Sequence, residues 1–246
     1  MYISFINNQK NELCGEYQPN LHPFYTPSFT ALYKLPNIQS NSNATRDKNS
    51  EWIINSLKRT LNNIDDEPTF FFDVRTTEDF SSPAPEYLIL KKLNLKRTTP
   101  LNIKGMGQLA IVQAFQISDL YLTDGGTALF SVVEEYHLFD QIPRSQQGGF
   151  ISSFLLTSTK GEMEIEEYGF FELEEKVICF LTDNKFDKIY TGFDWISEYP
   201  NTVILDCFFV NAFQKLSELN TQSSTFRVAF ITKYKEKYGY YIIRKD

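Results

Sequence analysis

The sequence predicts an α+β fold, with a mostly antiparallel sheet and two or three helices, and three observations carry that expectation. Phe and Tyr are abundant, 22 and 14 of 246 residues, and both suit the pleated, half-buried surface of a sheet. Strand-like runs outnumber helical ones and do not alternate with them, which points away from βαβ units and their parallel sheets. A tight-turn signal, Asp124-Gly125-Gly126, stands between apolar runs and supplies the positive φ angles that a hairpin needs.

Taken in order, Tyr2–Ile6 opens the chain as a short strand. Pro19, Pro23, Pro27 and Pro36 punctuate an irregular stretch with a strand at Phe29–Leu35, and Ser40–Thr45 is a polar loop. Ser50 is suited to cap a helix: Glu51 favours its first turn, and Ile53, Ile54, Leu57, Leu61 and Ile64 recur at helical spacing. Thr69–Val74 is apolar enough for a buried strand, and Tyr87–Leu95 follows as another after the Ser81–Pro85 loop. Leu109–Phe115 and Ile117–Leu122 then lead through the glycine turn into Thr127–Val133 as strand, turn, strand.

After Gly148-Gly149, Phe150–Thr157 is a strand or a buried helix, since periodicity cannot separate the two over so short a run. Glu162–Leu173, Val177–Leu181 and Phe186–Tyr190 form a meander, and Val203–Leu205 a short strand. Asp206 caps a second helix with Phe209, Phe213 and Leu216 at i, i+4 and i+7. An alternating strand places Phe226, Val228, Phe230 and Tyr234 on one face, and a turn near Gly239 leads into Tyr240–Arg244. No internal repeat of fixed period is evident. A single domain is expected over 1–246, subdivided if at all near 100–107, into an N-terminal part (1–100) and an acidic C-terminal part (108–246).

Hydrophobic residues make up 42% of the chain and charged residues 22%, which excludes disordered and fibrous classes. No run approaches the roughly 18–20 apolar residues of a membrane span, and the N-terminus lacks the basic region of a signal peptide. Cys14, Cys179 and Cys207 are odd in number and scattered, as expected for free thiols in a reducing compartment. A bacterial cytoplasmic location is expected.

Charge is unevenly distributed. Residues 1–118 carry 12 Lys/Arg against 11 Asp/Glu, residues 119–198 carry 5 against 16, and residues 199–246 carry 7 against 4. An acidic middle disfavours nucleic acid, which needs a basic surface, and suits a basic protein partner. Seven glutamates lie within residues 162–175. On a strand, Glu162, Glu164 and Glu166 share one face and Met163 and Ile165 the other. With Glu172, Glu174 and the aromatic anchors Tyr168 and Trp195, they form the candidate partner-binding surface; Phe193 and Tyr199 are further anchors.

Catalytic patterns are weak by comparison. His22 and His137 match no zinc spacing, so neither a metal nor a cofactor is expected. Cys179 and Cys207 lie in apolar surroundings that suit structural thiols. Lys104-Gly105-Met106-Gly107-Gln108 holds a lone Gly-x-Gly that precedes an apparent strand, whereas a dinucleotide cradle stands between strand and helix. Lys91, Lys92, Lys96, Arg97 and Lys104 form a basic patch able to meet phosphate or an acidic partner.

These features resemble, in composition, those of immunity proteins, which implies a non-enzymatic inhibitor docking a basic partner such as a toxin through its acidic surface. Two alternatives stand beside it. One is a metal-dependent enzyme acting on nucleotide or nucleic acid, built on Asp73, Glu172, Glu174 and Lys176. The other is a structural subunit of a phage or secretion assembly.

Overall fold

The computed structural model describes residues 1–11, 44–75, 85–122, 125–135, 149–205, 208–222 and 225–246. The elements run β1 (Tyr2–Asn11), α1 (Ala44–Leu61), β2 (Phe70–Arg75), α2 (Pro85–Leu93), β3 (Thr99–Ile103), α3 (Ala110–Tyr121), β4 (Thr127–Glu135) and β5 (Gly149–Thr157). The second half holds β6 (Met163–Phe171), α4 (Glu174–Asp183), β7 (Lys188–Thr191), β8 (Thr202–Ile204), α5 (Phe208–Gln222), β9 (Phe226–Tyr234) and β10 (Lys237–Lys245). Short 3-10 helices occupy Gly107–Leu109 and Asp194–Glu198. The expected strand at Phe29–Leu35 lies outside the described residues.

All ten described strands join in the order β3-β2-β4-β5-β1-β6-β10-β9-β7-β8. Two halves emerge from that order, for β1 to β5 and β6 to β10 are arranged by the same permutation. In each half the first strand pairs antiparallel with the fifth, the fifth antiparallel with the fourth, and the remaining pairs are parallel. The halves meet where β1 pairs with β6 at Tyr2↔Glu164 and Ile3↔Met163.

The buried residues fall into three groups, which define five layers. α1 and α2 cover the outer face of the first half through Ile53, Ile54, Leu57, Ile89 and Leu90 against Phe71, Leu129, Val133, Ile151 and Leu155. α4 and the second 3-10 helix cover the outer face of the second half through Val177, Leu181 and Ile196 against Ala229, Ile231 and Ile242. α3 and α5 lie between the two inner faces. α1 is further pinned by buried hydroxyls: Ser56 Oγ and Thr60 Oγ1 meet Ser153 Oγ on β5 at 2.8 and 2.7 Å.

An aromatic ladder crosses the central layer. Ring centroids follow one another from Phe72 to Phe130 (4.6 Å), Phe154 (4.8 Å), Phe213 (4.8 Å), Tyr241 (6.5 Å), Phe230 (4.7 Å) and Tyr190 (5.0 Å). Phe72, Phe130 and Phe154 sit in one register on β2, β4 and β5, and Tyr190, Phe230 and Tyr241 repeat it on β7, β9 and β10. The central helices share the duplication: Phe115 and Phe213 are each the sixth residue of their helix. Around them, Val112-Gln113-Ala114-Phe115-Gln116 answers Val210-Asn211-Ala212-Phe213-Gln214 with four of five residues identical. A fixed period misses the duplication because 43 residues separate Phe72 from Phe115, whereas 23 separate Tyr190 from Phe213.

The architecture corrects the predicted α+β class with its mostly antiparallel sheet. Four of the described strand pairings are parallel, and five α-helices are described. Three segments expected as strands are helices: Tyr87–Leu95 is α2, Leu109–Leu122 is α3, and Val177–Leu181 lies within α4. The reason is burial. α3 buries Ala110, Ile111, Val112, Ala114, Phe115 and Ser118, so apolar residues occupy most of its circumference and the helical stripe vanishes. The first helix begins at Ala44, ahead of the Ser50 cap. The last hairpin reverses between Tyr234 and Lys237, not near Gly239. Among the described residues no helix is long and apolar enough to cross a membrane.

Candidate functional site

The segment Lys104–Gln108 carries the chain from β3 into α3, and its conformation depends on glycine. Gly105 and Gly107 have φ of 72° and 53°. A Cβ at Gly107 would lie 2.3 Å from Cδ2 of Tyr234, at the end of β9. Gly239 on β10 makes the reciprocal approach, where a Cβ would fall 2.8 Å from Cδ2 of Leu109. Gln108 Oε1 accepts a 3.0 Å hydrogen bond from Thr232 Oγ1, a buried hydroxyl on β9. The start of a first-half helix is thus clamped on the terminal hairpin of the second half.

The electrostatics of this junction are simple. A helix N-terminus carries partial positive charge on its free amides. α3 has no acidic residue in its first turn, and no side chain caps it or the 3-10 helix before it. The Leu109 and Ala110 amides are already spent on the Met106 and Gly107 carbonyl oxygens, and Gln108 spends its carbonyl oxygen on Thr232, which leaves its amide nitrogen as a donor. Such a donor, held in place beforehand, suits an oxygen that gains negative charge during a reaction. The sequence pattern places the Gly-x-Gly ahead of a strand. It in fact follows a strand and opens a helix, and the misassignment of α3 concealed it.

A second polar group lies on the outer face of the same half. Asp73 and Arg75 on β2 are buried, with Arg75 Nε donating to both Asp73 oxygens at 3.2 and 3.0 Å. Burial pushes the Asp73 carboxyl up, against the pull of Arg75 and Lys104. Beside it in the parallel register stand Asn102, which donates to Glu86 at 3.0 Å, and Ser131, whose buried Oγ has no hydrogen-bond partner among the described residues.

The predicted acidic surface is divided between β6, its end and α4, and two of its five glutamates are ion-paired. Glu162 accepts from Asn220 at 2.7 Å, and Glu164 pairs with Arg244 at 2.7 Å. Glu166 receives Nε and Nη2 of Arg227, the shortest contact being 2.7 Å, and these bonds hold its carboxyl below the usual range. Glu174 accepts from the Tyr238 hydroxyl at 3.0 Å at the start of α4, and Glu172 is exposed at the end of β6. The register of β6 shifts between Ile165 and Glu167, a bulge at Glu166 that turns Tyr168 inward with Met163 and Ile165. The Tyr168 ring centroid lies 6.3 Å from that of Phe115, and burial raises its hydroxyl pKa, helped by a hydrogen bond to Asp119. Trp195 stacks on Phe193 at 5.6 Å and packs with Tyr199 against the outer core of the second half.

Nor does the predicted metal set converge. Asp73 belongs to β2 of the first half, while Glu172, Glu174 and Lys176 follow β6 in the second. Among the described residues no three His, Cys, Asp or Glu side chains could hold a metal together. Cys179 is exposed on α4; Cys14, Cys207, His22 and His137 lie outside the described residues.

No protein-family model matches the chain, and no curated protein matches it. Solved structures do match. ChlB3, described as an acyltransferase, aligns with a TM-score of 0.66 at 10% identity over 99% of this chain and 97% of its own. The fold is thiolase-like. AbyA1, a tetronic acid condensing enzyme, aligns with a TM-score of 0.58 at 11% identity over 79% of this chain and 82% of its own. The curacin-pathway HMG synthase, solved in complex with an acetyl donor-ACP, aligns with a TM-score of 0.57 at 10% identity over 80% of this chain and 68% of its own.

A thiolase-like fold, carried by condensing and acyl-transferring enzymes, overturns the immunity-type toxin inhibitor expected from composition. The physical reason is in the ion pairs. Glu164 and Glu166 are spent on Arg244 and Arg227 from the C-terminal hairpin, so two carboxylates of the negative stretch are neutralised within the fold.

Proposed function

We propose that this thiolase-like protein is an acyl-transferring enzyme that takes its acyl group from a thioester. In such a transfer the thioester C–S bond breaks, the thiol departs, and the acyl carbon bonds to an acceptor while its oxygen becomes transiently negative. The Gln108 carboxamide, held at the start of α3 by Thr232, is the donor suited to that oxygen. The observation that carries the reading is the end-to-end alignment with ChlB3, an acyltransferase. The donor-ACP complex of the HMG synthase supports a carrier-bound thioester as well as a coenzyme A thioester among the donors to try.

The test is incubation of the purified chain with acetyl to palmitoyl thioesters of coenzyme A and of a carrier protein, reading thiol release and intact mass. Thiol release above the uncatalysed rate is expected. A stable mass gain, mapped to a peptide, would identify a nucleophile; release without one would indicate direct transfer. Absence of thiol release, covalent acylation and thioester binding across the panel overturns the reading. Replacing Gln108 with Leu removes one donor and should slow release about 10²-fold.

A further inference from the structure

The outer layer of the first half carries a feature that the acyl-transfer reading does not use. Between α1 and α2 lies a shallow groove of about 480 Å3 lined by Ile54, Asn55, Lys58 and Lys92. Beside it, α2 turns one strip outward: Tyr87 and Lys91 are spaced i, i+4, as are Leu88 and Lys92. Tyr87 is 64% exposed and Leu88 48%, unusually high for large apolar side chains. Arg59 is exposed on α1 next to Lys58. Among the described residues, none of Lys58, Arg59, Lys91 and Lys92 takes part in an ion pair.

The two described arginines of the second half, Arg227 and Arg244, are ion-paired with Glu166 and Glu164. The cations on α1 and α2 are unneutralised on a chain whose formal charge is −7. They are also interleaved with an aromatic and an aliphatic side chain, the mixture of rim charge and apolar anchor found at protein interfaces. A nucleic acid backbone would require a longer continuous basic track than two helices provide here.

We propose that this face of α1 and α2 docks an acidic amphipathic helix of a partner protein. Its carboxylates would meet Lys58, Arg59, Lys91 and Lys92, and its apolar edge would lie over Tyr87 and Leu88. The surface is separate from the α3 junction, so the inference stands or falls independently of acyl transfer.

The probe is a fluorescent helical peptide of about 18 residues with glutamates along one face and leucines along the other, titrated by anisotropy against the full chain without any acyl donor. Binding is expected to weaken at least about tenfold in the Lys58→Glu/Lys92→Glu variant and severalfold in Leu88→Ala, with Lys160→Glu unchanged as a charge control. Affinity should also fall as salt is raised from roughly 50 to 300 mM. A Lys58→Gln/Lys92→Gln variant separates lost attraction from added repulsion and is expected to give an intermediate loss. Equal binding by the charge-reversed variant overturns the proposal. So does equal or tighter binding of a scrambled peptide of the same composition, a single-stranded oligonucleotide, or anionic phospholipid vesicles.

Discussion

The two halves share a strand permutation, a ring register and a central-helix signature, yet their equivalent positions diverge where polarity is concerned. Asp73, Asn102 and Ser131 stand side by side on β2, β3 and β4. The corresponding positions on β7, β8 and β9 hold Thr191, Ile204 and Ile231. The second half thus keeps its outer core apolar and binds its charges at the surface, as Glu164–Arg244 and Glu166–Arg227. The first half buries a charge pair, Asp73–Arg75, at the equivalent place. Duplicated topology therefore sets the packing, while each half's polar residues are free to take on separate work.

The most direct way to break that comparison is to truncate the divergent pair. Asp73→Ala strips the buried Arg75 Nε of its carboxylate and should cost about 3–5 kcal/mol in urea unfolding, whereas Thr191→Ala should cost about 1 kcal/mol. Similar losses at the two sites would show that the polarity difference carries no energy.

Shared packing is probed at the equivalent rings. Phe115→Ala and Phe213→Ala each remove a fully buried ring from the central layer and should each cost about 3–4 kcal/mol. A large asymmetry would mean that one half supports the core more than the other.

At the junction, Gly107→Ala combines a left-handed backbone with a Cβ driven into the Tyr234 ring, an expected loss of about 2 kcal/mol. Adding Tyr234→Ala should recover the steric part, and a double-mutant cycle measures the coupling. Additive losses would place the strain in the backbone alone.

The surface pair sharpens the contrast through pH. Arg227 holds the folded Glu166 pKa below its unfolded value, so its contribution is present above the ordinary glutamate range and is lost as pH falls through the depressed value. Glu166→Gln should lower stability by about 0.5–1 kcal/mol at neutral pH and flatten its decline in acid below about pH 4.5. The smallest expected effect is at Tyr241, whose buried hydroxyl has no partner among the described residues. Tyr241→Phe should leave the midpoint of thermal unfolding unchanged or raise it, with a gain below about 1 kcal/mol.

How legible the molecule was depended on how many sides of each element meet other protein. The first helix could be read because Ile53, Ile54 and Leu57 face the sheet while Lys58 and Arg59 face water. β2 could be read from its run of Phe70, Phe71 and Phe72, which suits a strand covered on both faces. α3 reads as two strands because Ile111, Val112, Ala114 and Phe115 leave too little polar surface to mark a helical period. The candidate site went unseen with it, since Gly107 and Gln108 acquire meaning only when a helix follows them.

The sequence alone determined which segments are apolar enough to be buried and how its charge is spread along its length. These are local properties of composition and spacing. The tertiary structure alone decided that two halves repeat one topology, that Thr232 reaches Gln108, and that Arg227 and Arg244 neutralise glutamates more than sixty residues away. Those contacts join residues distant in sequence, and pairing of β6, β10 and β9, with the start of α3 packed on β9, brings them together.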